Sequence, residues 1–510
     1  MDNVYSSKKI ATNTVVLFLR TFITMLIALY TSRVVLKSLG VNDYGLYQVV
    51  GGVVSLMTIL TAGLSLSTQR YLSYELGCST PEKIRQVFTT CFYTHAILVG
   101  VLLIIGETIG IWFLNNYIQI PLGREFAANV ILQFSLISLC LNLLISPYSA
   151  CVIAHEQMKL YAYIGIFDAV LKLGIALVIS FFSKDRLILY GFLMMLVTVV
   201  NLLYYVIICH RRFVETHLMW YWNKSQFKEI SQYISWTLLG QGAMVGANQG
   251  NNILVNRFFS VTANAAMGIA NQVNVAISSL TQSFGSAYTP QITKLYSSGD
   301  LLHLNRVVMG ASKLSFALLF LVSFPILLNI DLLLNLWLDV VPDNVSIFCV
   351  IFVISTMVNS LGNPFRAVIL ASGKIKKFQI YTALIYASDL VVLYVFFRLG
   401  FPVYFAPLVK LLIDCFLTLL RILMAKKYLS SFSLRLYFGS TVGRLALSCV
   451  VTITIAYVFL YCLGTDAFLR LIITCVCVPL SFLSMYIFAL TKEEKRWIWN
   501  YLNTLKTKIK

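Results

Sequence analysis

Apolar runs of about 20 residues recur down almost the whole chain and leave it little choice of fold, because a helix of that length crosses the hydrocarbon core of a bilayer with every backbone polar group satisfied internally. Fourteen runs can be separated, at approximately 14–36, 44–66, 88–114, 127–150, 160–182, 187–209, 232–256, 264–287, 306–328, 345–370, 378–398, 402–425, 440–463 and 468–490. The connections between them reach at most about 25 residues, too short to bury a core of their own. With 59% of 510 residues hydrophobic and 12% charged, the chain is expected to be an all-α integral membrane protein with no soluble domain. The apolar segment behind "MDNVYSSKKIATN" is longer than a signal peptide's and lacks a small-residue cleavage site, so the first helix is expected to stay. The closest of the eleven cysteines, Cys475 and Cys477, have neither zinc nor redox spacing, and the cysteines read as small apolar residues.

Charge tests the count and sets the orientation. Alternate connections and the two termini carry about 24 Lys and Arg against about six in the opposite connections, so the positive-inside rule puts both termini in the cytoplasm. The net charge of +19 then reads as topology signal and contact with membrane lipids rather than a nucleic-acid surface.

The chain also repeats. "SPYSACVIAHEQMKLY" from Ser146 recurs as "NPFRAVILASGKIKKF" from Asn363, placing Pro147 over Pro364, Ala154 over Ala371 and Lys159 over Lys376; "TSRVVLKSLGVNDYGLYQ" recurs more weakly as "VNRFFSVTANAAMGIANQ", with Arg33 over Arg257. An even number of spans separates the copies, which makes the repeat parallel and predicts two six-helix lobes, 1–210 and 211–428, with a helix pair and a basic cytoplasmic tail appended at 429–510.

Polar residues inside the spans mark candidate sites. Span seven carries Gly242, Gly246 and Gly250 at spacing four, a helix-packing stripe, and Gln241, Asn248, Asn252 and Asn256 on another face; span eight adds Asn271, Asn274, Ser278 and Gln282. So many neutral donors and acceptors suit a water-filled cavity and a hydroxyl-rich ligand. Asp168 with Lys172 and Lys410 with Asp414 stand at i,i+4 and are expected to pair, while Asp389 has no basic residue one turn away and can take up H⁺ or Na⁺. Asp389, Asp168 and Asp414 are therefore the candidates for ion coupling. Lys313 and His95 are expected to snorkel, and "RYLSYELGCSTPEKIRQ" to lie along the cytoplasmic interface with Arg70 at the head groups. Of the two arginines in the first span, Arg33 with its twin Arg257 reads as a structural anchor. Arg20 has no twin, shares a face with Asn13, Thr24 and Thr31, and is the candidate for binding phosphate, which a guanidinium grips bidentately.

The opening "KKIATNTVVLFLRTF", then "SRVVLKSLGVNDYGLYQVVGG" with "STQRYLSYELG", and "ANQVNVAISSLTQSFGSAYTPQITKLYSSG" resemble the oligosaccharide flippases of the multidrug/oligosaccharidyl-lipid/polysaccharide exporter (MOP) superfamily, above all its polysaccharide transport branch with the O-antigen flippases. The resemblance covers nearly the whole chain. It implies two lobes round a central cavity, alternating access, and movement of polyprenyl-diphosphate-linked oligosaccharide across the bacterial inner membrane for O-antigen (lipopolysaccharide), capsule or exopolysaccharide synthesis, with polysaccharide polymerase and glycosyltransferases as partners and no cofactor beyond H⁺ or Na⁺ coupling. The drug-exporting relatives often carry an acidic residue in the first span, absent here. A cation-coupled multidrug exporter of the same superfamily is the alternative. A membrane glycan polymerase or ligase is a weaker one, because the longest external connection, about 329–344, offers Asp331, Asp339 and Asp343 but no His or Arg for acid-base work. The chain is not expected to be an enzyme.

Overall fold

The structure is a computed structural model that describes all residues except 1, 118–119, 121–122, 183–184, 260, 339–340, 430–431, 464–466, 490–494 and 496–510. Most of the expected basic tail, and Asp339, lie outside the described residues. The first two apolar runs form one rod, Asp2–Cys78, kinked at Gly40, whose φ of 78° and ψ of 168° suit only a residue without a Cβ. Its halves are α1 (2–39) and α2 (41–78). There follow α3 (Pro81–Asn116), α4 (Glu125–Ala154), α5 (Met158–Ile179), α6 (Arg186–Arg212), α7 (Lys224–Phe258), α8 (Val261–Ser297), α9 (Leu301–Leu328), α10 (Val345–Ala371), α11 (Lys376–Arg398), α12 (Phe405–Ala425), α13 (Leu434–Leu460) and α14 (Ala467–Ser484).

Local chemistry sets the helix ends. The side chain of Asp185 accepts from the Leu187 and Ile188 amides at the start of α6, and that of Asn223 accepts from Ser225 and Gln226 at the start of α7. His210, Arg211 and Arg212 complement the last turn of α6. Pro81 opens α3 at a position where no amide hydrogen is needed.

Among the described residues, nine helical stretches are long and apolar enough to cross a membrane: α1, α3 to α6, α9 to α11 and α13. Three of the other expected spans fall below that measure for reasons visible in their residues: amides and glycines fill α7 and α8, and Lys410, Asp414 and Arg421 sit in α12. Two connections differ from expectation. The segment 70–86 is no separate interfacial helix, because α2 runs on to Cys78 and α3 begins at Pro81. The connection around 329–344 contains a short helix, Ile330–Trp337, whose Ile330 and Leu334 are buried.

Two lobes result. One core joins Val50 of α2, Leu102 and Leu114 of α3, and Ile131, Leu132 and Leu136 of α4. The other joins Val255 of α7, Phe348 and Phe352 of α10, Leu393 of α11 and Ile413 of α12. The added pair α13–α14 leans on α9 and α10 through Leu319, Phe320, Met357, Leu445 and Ile473. The repeat leaves matching marks on the backbone: Pro147 and Pro364 both sit inside helices, and the paired positions Glu156 and Gly373 both adopt left-handed φ, 57° and 74°.

The lobes meet toward the end of the bundle that carries the basic connections, here called the basic end. Thr21 of α1 and Ser283 of α8 share a hydrogen bond of 2.7 Å. Closer to that end, Lys294 of α8 pairs with Glu156 at 3.0 Å, joined by Gln291 at 3.2 Å. Arg70 of α2 donates to the Ala371 carbonyl at 2.8 Å, and a Cβ on Gly373 would lie 2.7 Å from its Nη2. Arg70 is 8% exposed and ringed by Tyr71, Tyr74 and Tyr233, so it is a buried interlobe tie and not the head-group contact expected of it.

Candidate functional site: a charged cavity and two carboxylate networks

A cavity of about 630 Å³ opens inside the first lobe, between α1, α2, α4, α5 and α6. Arg20 reaches it from α1. Its guanidinium lies over the Tyr161 ring, 4.4 Å from the centroid, and against Gly165, where any Cβ would collide with it. A tyrosine face and a bare backbone thus hold the cation without neutralising it, and its Nε has no hydrogen-bond partner among the described residues. One turn along α5 from Gly165, Asp168 accepts from Lys172 at 2.8 Å, as the i,i+4 spacing predicts, and from Asn201 at 2.6 Å. Two cations therefore face one carboxylate, amid hydroxyls and amides from Ser138, Asn142, Ser149 and Thr198.

The second lobe is built differently. Asp389 is 2% exposed and is not alone: its Oδ2 accepts from Asn251 at 2.9 Å, while Oδ1 has no partner among the described residues. Asp414, buried in α12, accepts from the Ser355 hydroxyl. The expected Lys410–Asp414 pair does not form, because Lys410 turns to Asn248 at 3.0 Å, over the face of Phe352. Toward the basic end, buried Arg421 donates to Asn359 and Asn363, at 2.9 and 3.2 Å, and lies close enough to Arg366 for the two charges to act on each other.

The amides expected to face a water-filled cavity are not among the residues that line the first-lobe cavity. Gln241, Asn248, Asn252, Asn271, Asn274 and Gln282 lie outside the first-lobe cavity; Asn274 accepts from Thr356 at 2.5 Å, and Asn271 and Gln282 are exposed. Helical periodicity assigns faces but not the neighbour that each face meets. The glycine stripe divides in the same way: a Cβ on Gly250 would lie 2.5 Å from Leu390, whereas Gly242 and Gly246 face open space. Arg33 and Arg257 are exposed near the ends of their helices. Lys313 and His95 do not snorkel, being 7% and 0% exposed, and the His95 Nδ1 bonds the Cys91 carbonyl. Arg366, Arg421, Tyr161 and Asn201 stand at no telling spacing in the sequence. One signal was present: Arg366 is the repeat mate of Ser149, which lines the first-lobe cavity.

No protein-family model and no curated protein matches the chain. Solved structures do. A multidrug resistance MATE family transporter of the MOP superfamily, in an outward-facing conformation, superposes with a TM-score of 0.73 at 13% identity, over 84% of this chain and 96% of that one. A MATE structure in the straight conformation gives 0.71 at 14%, over 84% and 96%. A MOP superfamily transporter from Pyrococcus furiosus, described as having a binding pocket of reverse polarity that suggests a different function, gives 0.69 at 14%, again over 84% and 96%. At such identities the likeness is one of architecture, and the fold of this chain is the two-lobed, all-helical fold of the MATE transporters of the MOP superfamily.

Proposed function

We propose that this chain is an exporter that moves an anionic, polyprenyl-diphosphate-linked oligosaccharide across the bacterial inner membrane by alternating access. The observation that supports the reading most is Arg20: a permanent cation held in a lobe cavity by an aromatic face and a glycine, with no partner for its Nε and no ion pair among the described residues. Such a cation suits a diphosphate, and the hydroxyls and amides around it suit sugar. The lipid tail can stay in the bilayer. In this reading the basic end faces the cytoplasm, following the positive-inside rule. The interlobe ties there then correspond to a cytoplasm-closed state, in keeping with the likeness to an outward-facing transporter. The lobes 1–210 and 211–428 rock about their contact, the segment 429–510 is an appendage, and polymerase and glycosyltransferases hand glycan on and off.

The test is a deletion strain scored for surface polysaccharide and for lipid-linked intermediate on the cytoplasmic side, complemented with wild type and Arg20→Ala. Accumulated intermediate and lost surface glycan are expected, rescued by wild type alone. Normal glycan in the deletion sinks the reading. A cation-coupled multidrug exporter remains the second reading, favoured by the drug-exporting structural neighbours and by buried Asp389 with one free oxygen. Proton-driven efflux of a cationic dye, lost in Asp389→Asn, would select it.

A further inference from the structure

At the basic end, outside the cavity, the last turn of α4 and the connection between the lobes bring three unlike metal ligands together. Cys151 and His155 are one helical turn apart and so lie on one side of the helix end. The short 3-10 turn Val214–Thr216, between α6 and α7, delivers Glu215 to the same place. A ligand atom from each residue lies within 4.8 Å of the other two. The Cys151 Sγ stands 3.8 Å from Glu215 Oε1, and the His155 Nε2 is hydrogen-bonded to the same oxygen. Phe213 stacks on the His155 ring at 4.3 Å between centroids and sets its direction.

The His155–Glu215 contact alone would serve as an ordinary pin for the connection. The Cys151 thiol, 1% exposed, donates to that same carboxylate oxygen, so a soft sulfur ligand stands beside an imidazole and a carboxylate. We propose that Cys151, His155 and Glu215 form a site for a borderline divalent cation of the zinc class. Sulfur, imidazole nitrogen and one carboxylate suit Zn²⁺, whereas Ca²⁺ and Mg²⁺ take oxygen sets. Binding deprotonates the Cys151 thiol, so the S–H bond breaks as the S–metal bond forms and the proton goes to water. The proton between His155 and Glu215 shifts to His155 Nδ1 or to water, freeing Nε2 and the oxygen for the ion. His155, with its side chain 25% exposed, leaves a fourth position open to water.

The place gives the ion a role. Arg85 of α3 donates to the carbonyls of His217 and Leu218, at 2.6 and 3.4 Å, and Tyr93 donates to that of Met219 at 3.2 Å, so the connection already lies along α3. A metal would reinforce the hold that His155 and Glu215 already give it on α4 and stiffen the covalent link between the lobes.

The test uses the full chain in detergent micelles, stripped with chelator and dialysed against Zn²⁺, with bound metal counted by mass spectrometry. One tightly held Zn²⁺ per chain is expected, with affinity falling about tenfold or more in Cys151→Ser and in His155→Gln. Cys78→Ser, which removes an exposed thiol elsewhere, should leave the stoichiometry unchanged. Cobalt substituted into the wild type should give a thiolate-to-metal charge-transfer band, absent from Cys151→Ser. Because that spectrum is read on the wild type, poor folding of a variant cannot rescue the idea: no thiolate band, or equal zinc in wild type and Cys151→Ser, overturns it.

Discussion

Arg20 packs against Gly165, a contact through which it can be disturbed without unfolding the lobe. Gly165 leaves room for the guanidinium, so Gly165→Val should push Arg20 out of the cavity while changing no charge. The expected outcome is the transport defect of Arg20→Ala at normal membrane abundance, measured as surface glycan per unit of immunoblotted protein. Arg20→Lys keeps the charge but loses the planar fork, and should retain part of the activity. Asp389 poses a different question. Its Oδ2 is already bonded to Asn251. If it exchanges a proton during transport, Asp389→Asn should flatten the pH dependence of export in vesicles, whereas a carboxylate that only binds Asn251 should alter the rate without altering the profile.

The rod α1–α2 depends on one backbone position. Gly40 has nothing within 4 Å of where its Cβ would be, so replacing it by alanine introduces no clash and its cost is purely conformational. Gly40→Ala should lower the melting temperature in detergent, by an amount that reflects roughly 1–3 kcal/mol of backbone strain. Glu156 is the opposite case, a residue with a side chain held at left-handed φ where its repeat mate is Gly373. Glu156→Gly should ease the backbone by about 1 kcal/mol and yet remove the partner of Lys294 and Gln291. Stability of the lobe preserved or raised, together with loosened contact between lobes, is the expected pair of results, read by thermal melting and by thiol labelling of a cysteine placed at Ser297.

Across the molecule, the contacts between lobes offer a direct test of rocking. The hydroxyls of Thr21 and Ser283 are 2.7 Å apart, close enough for a disulfide once both residues are cysteine. Thr21→Cys with Ser283→Cys should cross-link under mild oxidation and stop transport, and reduction should restore it. Continued transport in the fully cross-linked protein would exclude lobe separation at this contact. Arg70 lies farther along the same contact, and Arg70→Ala should leave the Ala371 carbonyl without its donor. We expect the closed arrangement to be weakened, seen as greater accessibility at the basic end, with the core of each lobe intact.

The helices, their order, the two lobes and the pairing of Asp168 with Lys172 were legible in the residues, because bilayer thickness and i,i+4 spacing are local or one-dimensional constraints. Arg20 was legible as well, as a charge that a lipid-facing helix has no reason to keep. Which surfaces meet was not. Lys410 reaches Asn248 across helices rather than Asp414 on its own; Gly240 packs against Gln379 while Gly242 faces open space; and Arg70 turns from the expected lipid surface into the other lobe. A helix's periodicity fixes the angle between its own side chains. The rotation of that helix against its neighbours is set by the packing of all of them together, and it was this rotation that put a cation in the first lobe's cavity and joined the lobes at the basic end.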